Sequence, residues 1–238
     1  MGLRQTISTP AGKAPYVRRL FTTIAPRYDL ITRLLSYGQD RRWKRRLIGM
    51  AAPLEGRHLL DAACGTGDLA WAAADTGAHV TGLDLTHAMI VLARRRVSAR
   101  GAAPRFLVGD MLALPFPDAS FDVVTTGYGL RNVPDLDRVL AEAHRVLRPG
   151  GRLLSLDFNR PASRVVRGAY HVYLTAVGSV VGALLHGDPD TYRYIPESIR
   201  TYPGAPAVVE RMRAAGFASA HWHPVLGGLM AIHDARRP

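Results

Sequence analysis

The stretch HLLDAACGTGD, residues 58–68, runs from a short apolar segment into a glycine-rich turn and on into the start of a helix. A strand ending in an acid, a turn built on Gly65 and Gly67, and a helix opening at Asp68 together form one strand–turn–helix unit. The pattern then repeats. Strands are expected over 58–62, 79–84, 105–108, 121–126 and 152–158, with helices over 68–74, 86–100 and 135–147 and a turn at 148–151 (RPGG). Strands alternating with helices predict an α/β fold: a doubly wound, mostly parallel sheet of Rossmann-like type. Beyond the fifth strand, residues 161–187, 191–201 and 206–215 read as helices, the last closed by Gly216. Two β-like segments, 220–226 and 229–235, flank Gly227 and Gly228 and predict an antiparallel hairpin at the sheet edge.

Upstream of the first strand, residues 16–35 carry apolar side chains at helical spacing, interrupted by Pro26, which predicts two short helices meeting at a kink. Residues 41–50 (RRWKRRLIGM) continue as a basic helix with Trp43 packed beneath it. Residues 1–15 lack the apolar core of a secretory signal and read as a flexible, frayed tail. The expected organisation is therefore that tail and one domain over 16–238, in which 16–52 form an N-terminal helical cap and 160–203 a helical lid inserted after the fifth strand. The apolar run 165–185 approaches membrane-spanning length but contains Arg167, His171 and several glycines, so it is expected to lie on the domain or at a membrane surface.

Composition narrows the function classes. Hydrophobic residues at 47% and charged residues at 21% are ordinary for a globular chain and exclude a disordered or repetitive one. The 31 Lys+Arg outweigh 19 Asp+Glu, for a net charge of +12. A basic surface suits anionic partners. Arg18, Arg19, Arg41, Arg42, Lys44, Arg45 and Arg46 on the N-terminal helices suggest anionic lipid, the plainer alternative being a solvated arginine-rich surface. Nucleic acid is not expected, because no aromatic-rich basic motif accompanies the charge. A single cysteine, Cys64, excludes an internal disulfide and a cysteine-built zinc site and fits a reducing compartment.

In a doubly wound sheet the ligand lies beyond the carboxyl ends of the strands. Gly65, Gly67 and Ala70 formally satisfy the dinucleotide pattern G-x-G-x-x-G/A, which keeps a nicotinamide or flavin enzyme as a rival. A pyrophosphate at a helix start calls for donors and positive potential, yet acids stand at Asp61 and Asp68. Two acids suit a cationic ligand, and S-adenosylmethionine carries a sulfonium and an ammonium; the alternative is that both acids only cap the turn and the helix. Asp84 ends the second strand, where an acid receives both hydroxyls of a ribose. Asp110 ends the third and can accept from an adenine amino group while Met111 lies against the ring, although a lone aspartate after a strand is also a turn former.

These segments carry a family resemblance. DAACGTGD, GLDLTHAM, GDMLALPFPDASFD and RVLRPGG resemble the motif series of class I S-adenosylmethionine-dependent methyltransferases. FTTIAPRYDLITRLLSYGQDRRWKR, LPFPDASFDVVTTGYGLRNV, RVLRPGGRLL, YRYIPESIRTYP and GGLMAIH resemble, more narrowly, the ubiquinone/menaquinone biosynthesis C-methyltransferases, and the match spans nearly all of the chain from residue 16. The resemblance implies S-adenosyl-L-methionine as cofactor, S-adenosyl-L-homocysteine as product, and no metal. It implies contacts from Thr66, Asp84, Asp110 and Met111, with Asp61, Gly65, Gly67, Met89 and Gly127 completing the cofactor set. Some family members have serine at the position of Gly127, so here only backbone is on offer. The 17 residues from Gly67 to Asp84 point to a short first helix.

The implied reaction methylates a ring carbon of a reduced prenylated quinone: demethylmenaquinol to menaquinol, or a 2-methoxy-6-polyprenyl-benzoquinol. Such a carbon is a poor nucleophile unless the neighbouring hydroxyl loses its proton, so the site must favour phenolate and align the carbon. Arg131 in GLRN is the expected phenolate stabiliser. Asn132 would orient a water, and Asp110 or a histidine would finally accept the proton; the alternative is that Arg131 and Asn132 only tie their loop down. Tyr28, Tyr128, Arg131 and Tyr194 are the expected substrate contacts, with 28–29 and 192–194 forming a lid over the prenyl tail unless these aromatics are core. Expected partners are the prenylated quinol, an anionic membrane surface and a second copy of the chain, with the enzyme cytoplasmic and peripheral at the inner face of the membrane. The remaining rival is a class I methyltransferase acting on another small phenol, sterol or amine.

Overall fold

The computed structural model describes residues 3–97, 102–189 and 191–238. Seven strands form one sheet in the order β3-β2-β1-β4-β5-β7-β6. They are β1 His58–Ala62, β2 His79–Asp84, β3 Arg105–Val108, β4 Phe121–Gly127, β5 Leu147–Phe158, β6 Ser219–Val225 and β7 Met230–Arg236. The first five run parallel, and β7 is antiparallel to both β5 and β6. The closing hairpin is present, but its second strand lies inside, between β5 and β6. The first four residues of β7, Met230, Ala231, Ile232 and His233, are all buried, as a strand covered on both faces requires. Strand order reverses between β1 and β4, and a crevice opens there at the carboxyl ends.

The helices are α1 Leu3–Ile7, α2 Pro10–Ile24, α3 Tyr28–Leu35, α4 Asp40–Ala51, α5 Asp68–Ala74, α6 His87–Arg95, α7 Leu136–Val146, α8 Arg164–His186, α9 Tyr194–Thr201 and α10 Ala205–Ala214. One core packs α4, α5 and α6 on one face of the sheet through Leu47, Ala70 and Ile90, and a second packs α7 and α10 on the other through Leu140 and Met212. The short α5 is capped by Gly67 in the left-handed region at φ 86°. Pro26 does interrupt the N-terminal segment: a 3-10 turn over Ala25–Arg27 separates α2 from α3.

Three expectations change. Residues 3–15 are not a frayed tail. Thr9 caps α2 by accepting the Gly12 N–H at 3.3 Å, Pro10 occupies the first turn, and Ile7 and Val17 are buried with Tyr194. Only Val17 and Ile24 of α2 are buried, so this segment shows little helical periodicity to a reader of sequence. The fifth strand starts at Leu147, which pairs with Phe121 before the register shifts, so RPGG lies inside the strand rather than ahead of it. The helix expected to reach residue 100 ends at Arg95, and residues 98–100 lie outside the described residues.

Two glycines explain how the turn at 64–67 settles onto the sheet. A Cβ on Gly82 would sit 2.6 Å from Phe106 Cδ1 and 3.1 Å from Cys64 Sγ. A Cβ on Gly67 would sit 3.1 Å from the same ring and from Trp71. The Phe106 ring therefore lies flat across β2 and beneath the turn, where no side chain can intrude. We predict that Gly82→Ala costs about 1–3 kcal/mol of unfolding free energy through overpacking, read from urea denaturation; an unchanged midpoint would refute this packing role.

Candidate functional site

Three aspartates end β1, β2 and the segment after β3, and burial treats each differently. Asp61 is 1% exposed; its Oδ1 accepts from the Thr125 hydroxyl at 3.0 Å, and its Oδ2 is buried with no partner. Burial, only partly offset by Thr125, pushes its pKa up to about 7. Asp84 is almost as buried, but its two oxygens accept the N–H groups of Thr86 and Gly65, both at 2.8 Å. Burial raises its pKa too, against those two backbone donors. Asp110 is half-buried and accepts from Leu112 N–H at 2.9 Å. A cleft over these strand ends is lined by Gly65, Asp84, Met89, Asp110, Met111 and Gly127, and roofed by Ala14, Val17 and Phe21 of α2.

Three donors of the glycine-rich turn are spent internally. Gly65 N–H goes to Asp84, Gly67 N–H to the Cys64 carbonyl, and Cys64 N–H to the Leu83 carbonyl. Those three are not free to cradle a pyrophosphate, which weakens the case for a dinucleotide. What the cleft and the small pocket adjoining it offer fits an adenosine with a cationic arm: a carboxylate oxygen of Asp61 without a hydrogen-bond partner, acceptors for hydroxyls on Asp84, and the apolar surfaces of Met89 and Met111 beside Asp110. Asp68, the other acid expected to favour a cation, is engaged by Lys44 at 2.7 Å and by Arg96. That inference therefore rests on Asp61 alone.

Lys44 organises the wall of the cleft. Its ammonium lies between Asp40 at 2.6 Å and Asp68 at 2.7 Å and is itself nearly fully buried. Burial alone would lower its pKa, but the two carboxylates outweigh that and hold it above the usual lysine value. Asp40 also accepts the Tyr128 hydroxyl at 2.5 Å, and Lys44 sits 5.6 Å from the centre of that ring. Tyr128 thus stays in the left-handed region, at φ 61°, which a bulky residue keeps only when its surroundings hold it there. Burial, then Asp40, raises its pKa, and burial pushes Tyr28 up to about 12, so both phenols stay protonated.

Behind Tyr128 lies a second, larger space, an apolar cavity of about 930 Å³. Residues from α2, α3, α8 and α9 enclose it, with Tyr28, Tyr128, Tyr170, Tyr192 and Tyr194 among the lining. Phe21, Tyr28 and Tyr128 line both cavity and cleft, so the two spaces meet at this aromatic wall. Among the described residues, the cavity lining includes one charged group, Arg131, which is 5% exposed. Its Nε donates to Asp157 at 3.2 Å and its Nη1 to the Ser198 hydroxyl at 2.7 Å, and its guanidinium stacks 4.8 Å from the Phe158 ring. Burial raises the pKa of Asp157 while Arg131 pulls it down.

The structure brings most of the expected residues together and divides them between the two spaces. Asp61 and Thr66 line, with Lys44 and Asp68, a small pocket that adjoins the cleft at Gly65, Gly127 and Tyr128, and the Thr66 hydroxyl donates to Asp29 at 2.6 Å. Gly127 lines it as bare backbone, since a Cβ there would approach Leu69 Cδ1 to 3.0 Å. Gly67 does not line it; its packing against Phe106 and Trp71 turns it away. Asp110 lies in the cleft and Arg131 in the cavity, so that pair is not side by side. The Asn132 amide is engaged at both ends, donating to the Tyr128 carbonyl at 2.7 Å and accepting from the Tyr194 hydroxyl at 3.0 Å. Sequence reasoning missed Asp40, Lys13 and Asp157. Lys13 donates to the Arg131 carbonyl at 2.9 Å, and burial and then Arg131 lower its pKa to about 8. Asp157 carries the same strand-end signature as the other acids and was findable by it; nothing in the sequence marks Asp40 or Lys13.

Residues 10–237 match the model of the ubiE/COQ5 methyltransferase family. A demethylmenaquinone methyltransferase of Thermus thermophilus is 45% identical over 221 residues, covering 92% of this chain and 100% of the relative. A ubiquinone/menaquinone biosynthesis C-methyltransferase of Paracoccus denitrificans is 41% identical, covering 93% of this chain and 90% of the relative. Among solved structures, an S-adenosylmethionine-dependent methyltransferase of Thermotoga maritima, described as a possible histamine N-methyltransferase, aligns with a TM-score of 0.67 at 20% identity, over 93% of this chain and 100% of that one. At that identity the likeness concerns the fold.

Asp61 makes the free protein pH-sensitive in a direction opposite to most carboxylates. Its folded pKa lies above its unfolded value, so between about pH 4 and 7 the unfolded chain ionises while the folded one holds the proton, and stability falls as pH rises through that window. We predict that Asp61→Asn abolishes this part of the loss and makes the free protein more stable at neutral pH, measured as the wild-type minus variant melting temperature against pH. A difference that stays flat across the window would contradict an uncompensated carboxylate.

Proposed function

The chain belongs to the ubiE/COQ5 methyltransferase family, and from that premise we propose that it transfers a methyl group from S-adenosylmethionine to a ring carbon of a reduced, prenylated quinone. The demethylmenaquinol-to-menaquinol step is the favoured assignment, with the 2-methoxy-6-polyprenyl-benzoquinol reaction as its close counterpart. The observation that carries this reading is the large apolar cavity abutting the cofactor cleft at Phe21, Tyr28 and Tyr128, with the buried cation Arg131 in its lining. A soluble amine or small phenol has no use for so large an apolar space, whereas a prenyl chain gains from every carbon buried there.

When bound, the cofactor supplies an electrophilic methyl group. The chain's own residues do the rest. Asp61 Oδ2 receives the ammonium of the cofactor's amino-acid arm and regains its charge in doing so. Asp84, already braced by two backbone donors, takes the ribose hydroxyls on its remaining lone pairs. Asp110 and Met111 hold the adenine; Asp110 is assigned there rather than to proton transfer because it lines the cleft and not the cavity.

On the substrate side, Arg131 stabilises the phenolate that makes the neighbouring carbon nucleophilic. Desolvation strengthens its effect. Asp157 balances the buried charge and fixes the guanidinium plane, while Ser198 and Phe158 complete its seat. Asn132 ties Tyr128 to Tyr194 and so sets the aromatic wall against which the ring is aligned. The prenylated substrate partitions into lipid, so the enzyme works as a peripheral protein on the cytoplasmic side of the membrane.

Purified protein assayed with demethylmenaquinol, a polyprenyl benzoquinol and a soluble phenol tests the assignment; turnover confined to the soluble phenol would defeat it. Asp84→Ala is expected to abolish cofactor binding by calorimetry while the fold is kept, and unaltered binding would remove the ribose role. Arg131→Lys is expected to retain cofactor affinity and lose about 10²-fold or more in kcat, because a lysine cannot reproduce the planar seat shared between Asp157 and Ser198. Undiminished kcat would mean that phenolate stabilisation lies elsewhere.

A further inference from the structure

The outer surface of α8 is not explained by methyl transfer. This helix has 23 residues, and its solvent face reads Val165, Ala169, Val172, Ala176, Val180 and Leu184 without a polar side chain. Val165 and Leu184 are 81% and 79% exposed. Its inner face is also apolar: Leu174 is buried, and a Cβ on Gly178 would come within 3.3 Å of Tyr192 Cβ. A helix on a water-facing surface keeps charged residues outward; beyond Arg164 at its first position, none of the exposed residues of α8 is charged. Its length and hydropathy would let it cross a membrane, yet its packing against α9 and α3 lays it along the domain.

The same apolar character continues onto α3, where Leu30 and Leu34 are each 47% exposed, and onto Tyr37 just beyond it. Tyr37 reaches Tyr173 of α8, the rings stacked at 6.4 Å and the hydroxyls in contact. Val165, Ala169 and Tyr37 both face solvent and line the cavity, so the cavity opens within this apolar surface.

Charge and access select the occupant. Arg27, Arg33 and Arg164 are exposed on these elements, α8 has no acid, and Asp29, the one acid of α3, is bound by Thr66 and Arg96. A protein partner seated on this face would close the entrance to the cavity. A fluid lipid surface leaves the entrance open to a long apolar substrate. Lys44, in contrast, is consumed by Asp40 and Asp68 and contributes nothing to a basic surface.

We propose that the outer face of α8, with Leu30, Leu34 and Tyr37, docks flat on an anionic lipid bilayer, and that the gap spanned by Tyr37 and Tyr173 is the portal through which a lipid tail enters the cavity. The portal rests on the quinol reading above; the docking surface stands without it. Interfacial helices bind through buried apolar area together with attraction to anionic headgroups, which is what this face presents.

The test is flotation of the full chain with phosphatidylcholine vesicles, with and without phosphatidylglycerol, comparing wild type with Val172→Glu/Val180→Glu. Neither position lines the cavity. The wild type is expected to bind the anionic vesicles, and the variant to bind about tenfold or more weakly, with unchanged turnover of a short-tailed, water-soluble quinol. Equal vesicle binding by the two proteins would overturn the proposal. So would a wild-type dimer that the variant converts to monomer with vesicle binding unaltered, since the face would then belong to a second copy. If the double variant does not fold, Leu184→Glu alone provides the comparison. Absence of quinol turnover in a wild type that binds vesicles through α8 would defeat the quinol reading and leave the docking surface standing.

Discussion

The ammonium of Lys44, buried between Asp40 and Asp68, ties together parts of the molecule that are distant in sequence. A lone charge at the depth of Lys44 or Asp40 would be prohibitively costly, so those two depend on each other, while the less buried Asp68 is held by both Lys44 and Arg96. Through Asp68 the cation anchors the start of α5 and the glycine-rich turn ahead of it. Through Asp40 it fixes the hydroxyl of Tyr128, and with it a strained backbone at the end of β4. The wall shared by the cleft and the apolar cavity is therefore positioned by an ion cluster, two members of which, Lys44 and Asp68, also line the small pocket that holds Asp61.

The carboxylates around the site fall into two kinds. Asp68, Asp40 and Asp157 are paired with cations and serve the architecture. Asp61 is left with a bare, buried oxygen, and Asp84 has its charge steadied by backbone donors but keeps acceptor capacity. Leaving that oxygen of Asp61 without a partner is expected to lower the stability of the free protein at neutral pH, and a bound cation would recover it. The same logic applies to Arg131, whose desolvated guanidinium is tolerable because Asp157 lies beside it, and which remains in the cavity lining as a positive group.

Much of this was readable from residues alone. The alternation of strands and helices, the acids at successive strand ends and the hairpin signal at Gly227-Gly228 are local features, and the sheet follows them, with β6 of the hairpin at its edge. The first-helix length implied by the spacing from Gly67 to Asp84 is also met, α5 having seven residues. What escaped the sequence depends on tertiary contact. The helices of residues 3–15 show little periodicity because few of their side chains are buried, and Lys13 meets Arg131 across 118 positions. Lys44 looked like one of a run of surface cations, and only the fold shows that its i−4 neighbour Asp40 and the distant Asp68 enclose it. Gly67 was read as a ligand contact, although its lack of a side chain serves the Phe106 ring beneath it.

The central claim is that one aromatic wall joins a cleft for a cationic adenosine cofactor to a cavity for an apolar quinol. The most direct measurement is a crystal structure of the chain with S-adenosylhomocysteine and a prenylated hydroquinone analogue bound together. The account predicts the amino group against Asp61 Oδ2, the ribose on Asp84, the sulfur facing Tyr128 and the quinol ring beside Arg131 with its tail between α3 and α8. A quinol ring bound outside the cavity, or a cofactor amino group remote from Asp61, would contradict it.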